Sequence, residues 1–344
     1  MTLDASSRLT SLNQDPERRK PVPPSKLPYH ERLRGRAAHN PFQIGWRGWW
    51  DILLRVIQRV SIDNLGLITA GVTFYVFLAL IPAMIAVVSF YGITTSSLTL
   101  ETHVSFLHGY LPDQAIEWIS HEIGRVSKAQ ENGLTLTFVL SFGLSLWSMN
   151  NAVIALFGAM NIAYGEVEKR GTIALYLRAF GVTLAALMVG IVMIGAIVVV
   201  PLVFGAANGG LDYGGRRVTA PLLFVAVAIA SAMIYRLGPS RRAARWRWIS
   251  VGAVTVAAGW LAASTLLSWY LSNIANYAAI YGSLGTVIAL MFWFYISIYI
   301  LLLGAELAAE VEHQTMVDTT VGPEQPVGRR GAYVADTVGR ASNV

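Results

Sequence analysis

The chain has 344 residues, of which 54% are hydrophobic and only 13% are charged, and its net charge is +6. Soluble domains carry about 25% charged residues, so this composition excludes an ordinary soluble protein and favours one embedded in a membrane. The chain contains no cysteine, which excludes disulfides, thiolate catalysis and cysteine-ligated metals.

Both ends of the chain are polar. The N-terminal segment 1–44 is rich in proline, arginine and serine and lacks the apolar stretch of a cleaved signal peptide. A segment of this kind cannot bury enough apolar surface to fold by itself. Residues 1–44 are therefore predicted to be a disordered basic cytoplasmic tail, and residues 314–344 a second disordered cytoplasmic tail.

Residues 46–60 have the pattern of an amphipathic helix. Apolar residues, three of them tryptophans, share one stripe, and arginines with other polar residues occupy the opposite side. This pattern favours a helix that lies in the cytoplasmic interface of the membrane. A helix packed against the rest of the protein is the alternative.

Six charge-free apolar blocks follow, each close to the length of about 20 residues that crosses a bilayer. They are residues 65–92, 134–160, 179–205, 218–235, 249–275 and 283–305. If the N-terminus is cytoplasmic, all but four of the 26 lysines and arginines lie on the cytoplasmic side, as the positive-inside rule requires. The prediction is an all-α integral membrane protein with six transmembrane helices and both termini inside. Its membrane domain spans 45–313, with a helical extracytoplasmic segment at 93–133.

Two rows of polar residues run along the second and fifth blocks, and each row is spaced to share one helical face. They are Thr137, Ser141, Ser145, Ser148, Asn150 and Asn151 in the first row, and Ser264, Ser268, Ser272 and Asn276 in the second. These residues are candidates for a substrate path, and close packing between helices is the alternative explanation. Pro82, inside the first block, predicts a kink there.

Charged residues flank the blocks and are absent from them, which argues against a conventional proton-coupled carrier. Glu306 and Glu310 follow the last block, and we expect them to form ion pairs with Arg55 and Arg59 at the cytoplasmic boundary. The spacing of Glu310 and His313 also occurs in metal sites, but no second such pair exists, and neither a metal nor a cofactor is predicted.

The cytoplasmic loop before the fifth block is basic and aromatic. Its arginines are predicted to contact anionic lipid headgroups, and they are Arg241, Arg242, Arg245 and Arg247. Membrane lipids are therefore the expected partners. A homo-oligomer stays open, and nucleic acid is not expected.

The last block and its flank, 281–310, read YGSLGTVIALMFWFYISIYILLLGAELAAE. This segment resembles the last-span signature of the YihY/BrkB family of bacterial inner-membrane proteins. The first block, with Thr73, Tyr75 and Pro82, resembles that family's first span. The resemblance covers about 46–313 and implies a six-helix protein of the bacterial cytoplasmic membrane. It brings no catalytic residues, and the ribonuclease label once given to the family finds no support in the residues here.

These observations predict a multi-pass, non-enzymatic membrane protein that transports or flips a lipid or another amphipathic envelope component. A membrane scaffold or assembly factor without transport activity is the alternative. A membrane-bound hydrolase or ribonuclease is a third hypothesis, and it would need clustered metal-binding residues.

Overall fold

The computed structural model describes residues 27–94, 133–188, 214–273 and 284–341 of the chain. Within these ranges the backbone is helical apart from its loops, a 3₁₀ turn at Pro41–Gln43 and one isolated bridge between Ala244 and Thr320. The helices in chain order are α1 (Tyr29–Leu33), α2 (Trp46–Ile62), α3 (Leu65–Thr94), α4 (Gly133–Ala163), α5 (Thr172–Met188), α6 (Gly214–Leu237), α7 (Trp246–Asn273), α8 (Leu284–Glu312) and α9 (Tyr333–Asp336).

Several of these helices are long and apolar enough to cross a membrane. They are Val139–Ala163 in α4, Ala220–Leu237 in α6, Trp246–Leu267 in α7 and Val287–Glu312 in α8. A fifth candidate joins α2 to the first part of α3 across a 63° bend. The all-helical membrane class predicted from the composition therefore agrees with the described structure. Six spans and the orientation of the termini stay predictions.

Part of the predicted architecture lies outside the described residues. This applies to almost all of the extracytoplasmic segment predicted at 93–133 and to residues 189–205 of the third block, whose residues 179–188 are in α5. Pro82 lies inside α3, and the kink expected there stays a prediction.

Helix α8 is at the centre of the described bundle, in contact with α2, α3, α4 and α7. Helix α3 packs along α4, and α7 also packs on α6. The core between them combines alanines of α8 with the buried aromatic residues Tyr164 and Tyr235. Small residues let helices approach closely, which is how helices associate where lipid removes the hydrophobic driving force.

Helices α7 and α8 approach each other closely at Gly252 and Gly304. A Cβ atom on Gly252 would collide with the carbonyl oxygen of Gly304, and one on Gly304 would lie 2.6 Å from the Tyr235 hydroxyl oxygen. Neither position has room for a side chain. The crossing leaves the Tyr235 hydroxyl free to donate to the carbonyl oxygen of Leu301 at 2.6 Å.

Helix α8 continues to Glu312, beyond the predicted end of its apolar block at residue 305. Three glutamates therefore lie inside its candidate span, although the predicted block, which ends before them, contains no charged residue. The prediction stopped where charge begins, because charge usually marks water. Here arginines from elsewhere in the chain reach two of the three carboxylates.

Residues 314–341 form a folded segment, so the prediction of a disordered tail is wrong for them. The buried guanidinium of Arg330 donates to the carbonyl oxygens of Gln325, Ala335 and Met316 at 3.1, 2.7 and 2.8 Å. The composition argument missed this segment because hydrogen bonds to a buried arginine, rather than apolar volume, organise it.

The same correction applies to residues 27–44. Arg36 is buried and donates to the carbonyl oxygens of Gln314 and Gly339, and burial lowers the pKa of its guanidinium. Arg34 forms an ion pair with the buried Asp51 at 2.7 Å. The two terminal segments are thus folded against each other and against α2, while 1–26 and 342–344 lie outside the described residues.

Candidate functional site: an apolar groove and a buried charge cluster

An apolar groove of about 350 Å³ lies between α3, α4 and α8. Its walls include Val72, Val76 and Ala79 of α3, Met149, Ala152 and Leu156 of α4, and Phe294, Ile298 and Leu301 of α8. Ligand pockets commonly measure about 300–1,000 Å³, so the groove has the size of a small ligand site. Its walls suit hydrocarbon and would make a buried charge costly.

Polar residues of α4 lie beside this groove. Ser145 and Ser148 precede the wall residues Met149 and Ala152 by four positions, so they continue the same helical face. The Ser145 hydroxyl is satisfied by the carbonyl oxygen of Phe142 at 3.0 Å. The buried Ser148 hydroxyl has no hydrogen-bond partner among the described residues, and the same holds for Oδ1 of the buried Asn150.

The other residues of the two predicted polar rows are not gathered at the groove. Ser141 and Asn151 are half-buried on α4, and Ser264 is half-buried on α7, which is not among the helices that form the groove walls. Outside the described part of the chain lie the side chains of Thr137, Ser268 and Ser272, and all of Asn276.

A cluster of charged side chains joins the end of α8 to α2. Arg55 donates to the buried Glu310 carboxylate and to Oε1 of Gln314 at 2.7 Å. Arg59 lies 3.5 Å from Glu310, and Nδ1 of His313 is at the same distance from it. The structure therefore brings Arg55, Arg59 and Glu310 together, although the bilayer boundary expected there stays a prediction.

Glu306 differs from the sequence expectation. Glu306 is 0% exposed, and neither of its carboxylate oxygens has a hydrogen-bond partner in the described structure. Within those ranges it forms no ion pair, so the predicted pairing at a water boundary is wrong for this residue. Its neighbours Leu302 and Ala305 belong to the apolar core, and α8 packs against both α2 and α3.

The third glutamate of α8 has a buried partner that the sequence analysis assigned to lipid. The side chain of Arg241 is 2% exposed and contacts the Glu312 carboxylate at 2.7 and 3.0 Å. Burial acts to lower the pKa of Arg241, but the Glu312 carboxylate outweighs it and raises that pKa. The prediction that Arg241 contacts lipid headgroups is therefore wrong, since its charge is neutralised inside the protein.

The other arginines of that loop have different environments. The Arg245 guanidinium donates to the carbonyl oxygen of Thr320 at 3.0 Å, and the Arg242 backbone N–H donates to Gly331 at 3.1 Å. The folded C-terminal segment thus covers part of the loop predicted to meet lipid. Arg247 is exposed, and headgroup contact stays a prediction for it.

Helix α2 combines the two interpretations offered by its sequence. Asp51, Ile52 and Val56 are buried against the protein. The opposite side exposes large apolar side chains, with Trp46 77% exposed and Leu53 and Ile57 also exposed. The helix packs on protein through one side and presents an apolar edge on the other, and its placement in a membrane interface stays a prediction.

Comparison with known proteins decides the family. The family model described as Virulence factor BrkB matches residues 56–329, which is most of the chain. The chain belongs to the BrkB family. The resemblance stated from the last-span residues is therefore confirmed, and the BrkB-family helices described above are those of a membrane protein.

Individual relatives of this BrkB-family chain support the family assignment. It is 30% identical over 277 residues to the ribonuclease-like protein YfkH of Bacillus subtilis (strain 168), a match that covers 75% of this chain and 94% of YfkH. It is 26% identical over 272 residues to the UPF0761 membrane protein Mpe_A1422 of Methylibium petroleiphilum, covering 76% of this chain but only 62% of that relative.

A third relative, the UPF0761 membrane protein IL2447 of Idiomarina loihiensis, is 23% identical over 78% of this chain and 95% of its own length. No solved structure gives a significant match. The ribonuclease-like label belongs to the name of one relative, and the family match brings no catalytic domain with it.

Proposed function

We propose that this BrkB-family protein is a multi-pass protein of the bacterial cytoplasmic membrane that moves a lipid or another amphipathic envelope component across the bilayer, without catalysing a reaction. The observation that carries the proposal is the apolar groove between α3, α4 and α8, together with the Ser148 hydroxyl, which has no hydrogen-bond partner in the described structure and lies one helical turn before the wall residue Ala152. An apolar groove with a polar group near it suits a molecule that has a hydrocarbon part and a polar head.

The groove accepts the hydrocarbon part. Lipid tails are as apolar as leucine side chains, so a tail that moves from the bilayer into the groove gains and loses little free energy of transfer. A weak preference of this kind suits a transport path, because a substrate held tightly would not leave.

The polar atoms without hydrogen-bond partners would bind the polar headgroup. A buried hydroxyl or amide oxygen without a partner costs about 1–3 kcal/mol, and the Ser148 hydroxyl and Oδ1 of Asn150 are both in that state within the described structure. A headgroup that bonded to either atom would recover this cost. The interaction would lower the barrier to carrying a polar group between the helices.

The groove also has a place where α3 can yield. Ala83 is part of its wall and follows Pro82, which has no backbone N–H and removes one helical hydrogen bond. Local weakening of α3 would let the groove widen as a substrate passes. At the cytoplasmic side, the exposed Arg247 suits contact with anionic headgroups.

The test is lipid movement in reconstituted vesicles. The full chain is placed in liposomes with a fluorescent lipid, and a membrane-impermeant reductant bleaches the outer leaflet, so movement from the inner leaflet appears as further loss of fluorescence. Liposomes that contain the wild-type protein should lose the fluorescence of their inner leaflet faster than empty liposomes do. Equal rates across a panel of anionic and zwitterionic lipids would refute the proposal.

A matched pair of substitutions tests the groove itself. Ala152→Phe fills the groove wall on α4 and should slow lipid movement strongly. Ala258→Phe adds the same ring on an exposed face of α7 and should leave the rate near that of wild type. Equal rates in both variants would exclude the groove as the path.

A scaffold without transport activity is the second candidate. The folded C-terminal segment favours it, because that segment presents the exposed side chains of Tyr333 and Val321 beside the membrane helices. This candidate expects bound protein partners whose retention falls when Tyr333 is replaced by serine, together with lipid movement no faster than in empty liposomes.

A further inference from the structure

Helix α8 contains three buried glutamates, and only one of them lacks a partner in the part of the chain that the structure describes. Glu310 is paired with Arg55, and Glu312 with Arg241. Glu306 lies within the same candidate span, is fully buried, and has both carboxylate oxygens without a hydrogen-bond partner.

An ionised carboxylate is unfavourable at such a position. Moving an isolated charge out of water costs so much that a buried acid takes up a proton instead, and the penalty is recovered only by close, well-placed counter-charges. Within the described ranges, Glu306 has no counter-charge at ion-pair or hydrogen-bond distance. Its neutral, protonated form is therefore the form that the surroundings favour.

The charged groups around Glu306 support this assignment. From α2 comes Arg59, whose guanidinium is already shared between Glu310 at 3.5 Å and Asp63 at 3.7 Å. Asp63 at the α2–α3 junction and Glu310, one turn further along α8 than Glu306, are both acids, and both compete for the one guanidinium of Arg59. Two nearby negative charges oppose a third, so they also favour a proton on Glu306.

The other helices, as far as the structure describes them, place no cation within ion-pair distance of Glu306, and Arg236 at the end of α6 lies over the Trp246 ring at 4.4 Å. Tyr164, after α4, has a buried hydroxyl without a described partner, and the Tyr235 hydroxyl of α6 is engaged with the carbonyl oxygen of Leu301. The titratable residues of α7, Arg247 and Tyr270, are exposed. On α8 itself, the Tyr295 hydroxyl is directed to the carbonyl oxygen of Gly66 at 3.4 Å.

We propose that Glu306 is a proton-binding site that is loaded in the folded protein at neutral pH and couples substrate movement to proton movement. The coupling half rests on the function proposed above. Asp63 is half-buried, and its Oδ2 lies 3.7 Å from Arg59 without a hydrogen bond in the described structure; it gives the proton a route from water. Binding converts the carboxylate to a neutral carboxyl, and release on the other side of the bilayer regenerates the carboxylate.

This site reverses the expectation drawn from the charge-free blocks. Proton-coupled carriers place ionisable groups inside the membrane, where they act as relays, and the predicted end of the last block at residue 305 left Glu306 outside. The continuation of α8 to Glu312 puts it inside the candidate span.

The first experiment measures the proton directly. Infrared spectra of the full chain in lipid nanodiscs at pH 7 should show the carbonyl stretch of a protonated carboxyl group. Glu306→Gln should lose this band, whereas Glu312→Gln, which alters an equally buried but paired acid of the same helix, should keep it. Glu306→Asp should restore a band and serves as the second variant. A Glu306→Gln spectrum identical to wild type would overturn the proposal.

The second experiment measures coupling in the vesicle assay. With one proton moved per substrate, a gradient of one pH unit biases the substrate distribution by up to tenfold. The bias should be present in wild type and absent in Glu306→Gln. An equal bias in both proteins overturns the coupling. Wild-type vesicles that move no lipid, with the infrared band still lost in Glu306→Gln, refute the proposed function and the coupling while the proton site stands.

Discussion

Replacing Arg241 with alanine is expected to destabilise the protein by about 3–5 kcal/mol, the usual cost of removing one member of a buried ion pair. The two side chains are 2% and 1% exposed, and the guanidinium contacts both oxygens of Glu312. After the substitution the Thr319 hydroxyl, at 2.6 Å, would be the one hydrogen-bond donor left to the carboxylate among the described residues. The contact of the guanidinium with the Tyr164 ring, at 4.5 Å, would also be lost.

A double variant distinguishes the energy of the Arg241–Glu312 pair from the cost of leaving one of its charges buried alone. Arg241→Met combined with Glu312→Leu removes both charges and keeps comparable apolar volume, so no charge is left uncompensated. Replacing a buried pair by apolar residues is often close to neutral, and the double variant should therefore cost less than Arg241→Ala alone. Residues in direct contact show coupling energies of about 0.5–3 kcal/mol, and we expect this pair at the upper end.

The assay is unfolding of the purified full chain in detergent, followed by circular dichroism. Lys169→Ala is the matched control, because Lys169 pairs with Glu166 at 2.9 Å but its side chain is 62% exposed. Exposed pairs contribute about 0–1 kcal/mol. If Arg241→Ala unfolds at the same denaturant concentration as Lys169→Ala, or if the single costs add in the double variant, the reasoning is refuted.

Three further substitutions test other parts of the structure. Gly304→Ala should destabilise by about 1–3 kcal/mol through overpacking, whereas Gly143→Ala, with open space around its Cβ position, should be neutral or stabilising in the same unfolding assay. Hydrogen bonds from Arg170 hold the pKa of Glu168 at about 2, so this carboxylate stabilises the fold at neutral pH and the contribution is lost as pH falls from about 4.5 towards 2. In melting curves recorded at decreasing pH, Glu168→Gln should lose about 1–2 kcal/mol less stability than wild type, a value that allows for the partial exposure of the side chain. If the stability of both proteins depends on pH in the same way, the assignment is contradicted. Arg330→Ala should speed protease cleavage within 314–341, because three carbonyl oxygens lose their donor. The exposed neighbour Arg329, replaced in the same way, should leave the cleavage rate unchanged.

Much of the helical pattern was accessible from sequence. The block predicted at 249–275 corresponds to α7 at Trp246–Asn273, and the block at 134–160 to α4 at Gly133–Ala163. A segment in lipid has to satisfy its own backbone hydrogen bonds, which forces a helix wherever the apolar run is long enough. The family was accessible as well, through the residues of the last span.

The errors have one physical origin. Composition shows where charge occurs and does not show which charges meet. Arg36 and Arg330 were assigned to disordered tails, and Arg241 to the lipid surface, yet all three are buried. Each is neutralised or hydrogen-bonded by a group more than ten residues away or by a loop carbonyl, and separation of that kind leaves no periodic signal.

The sequence by itself determined that this chain is a helical membrane protein of the BrkB family, since apolar length and the last-span residues are local properties. Only the tertiary structure decided which of three glutamates on one helix has no hydrogen-bond partner among the described residues, and that an apolar groove forms between α3, α4 and α8. The physical reason is that the environment of a side chain, whether water, lipid, protein or a counter-charge, is set by segments distant in the chain that fold against it.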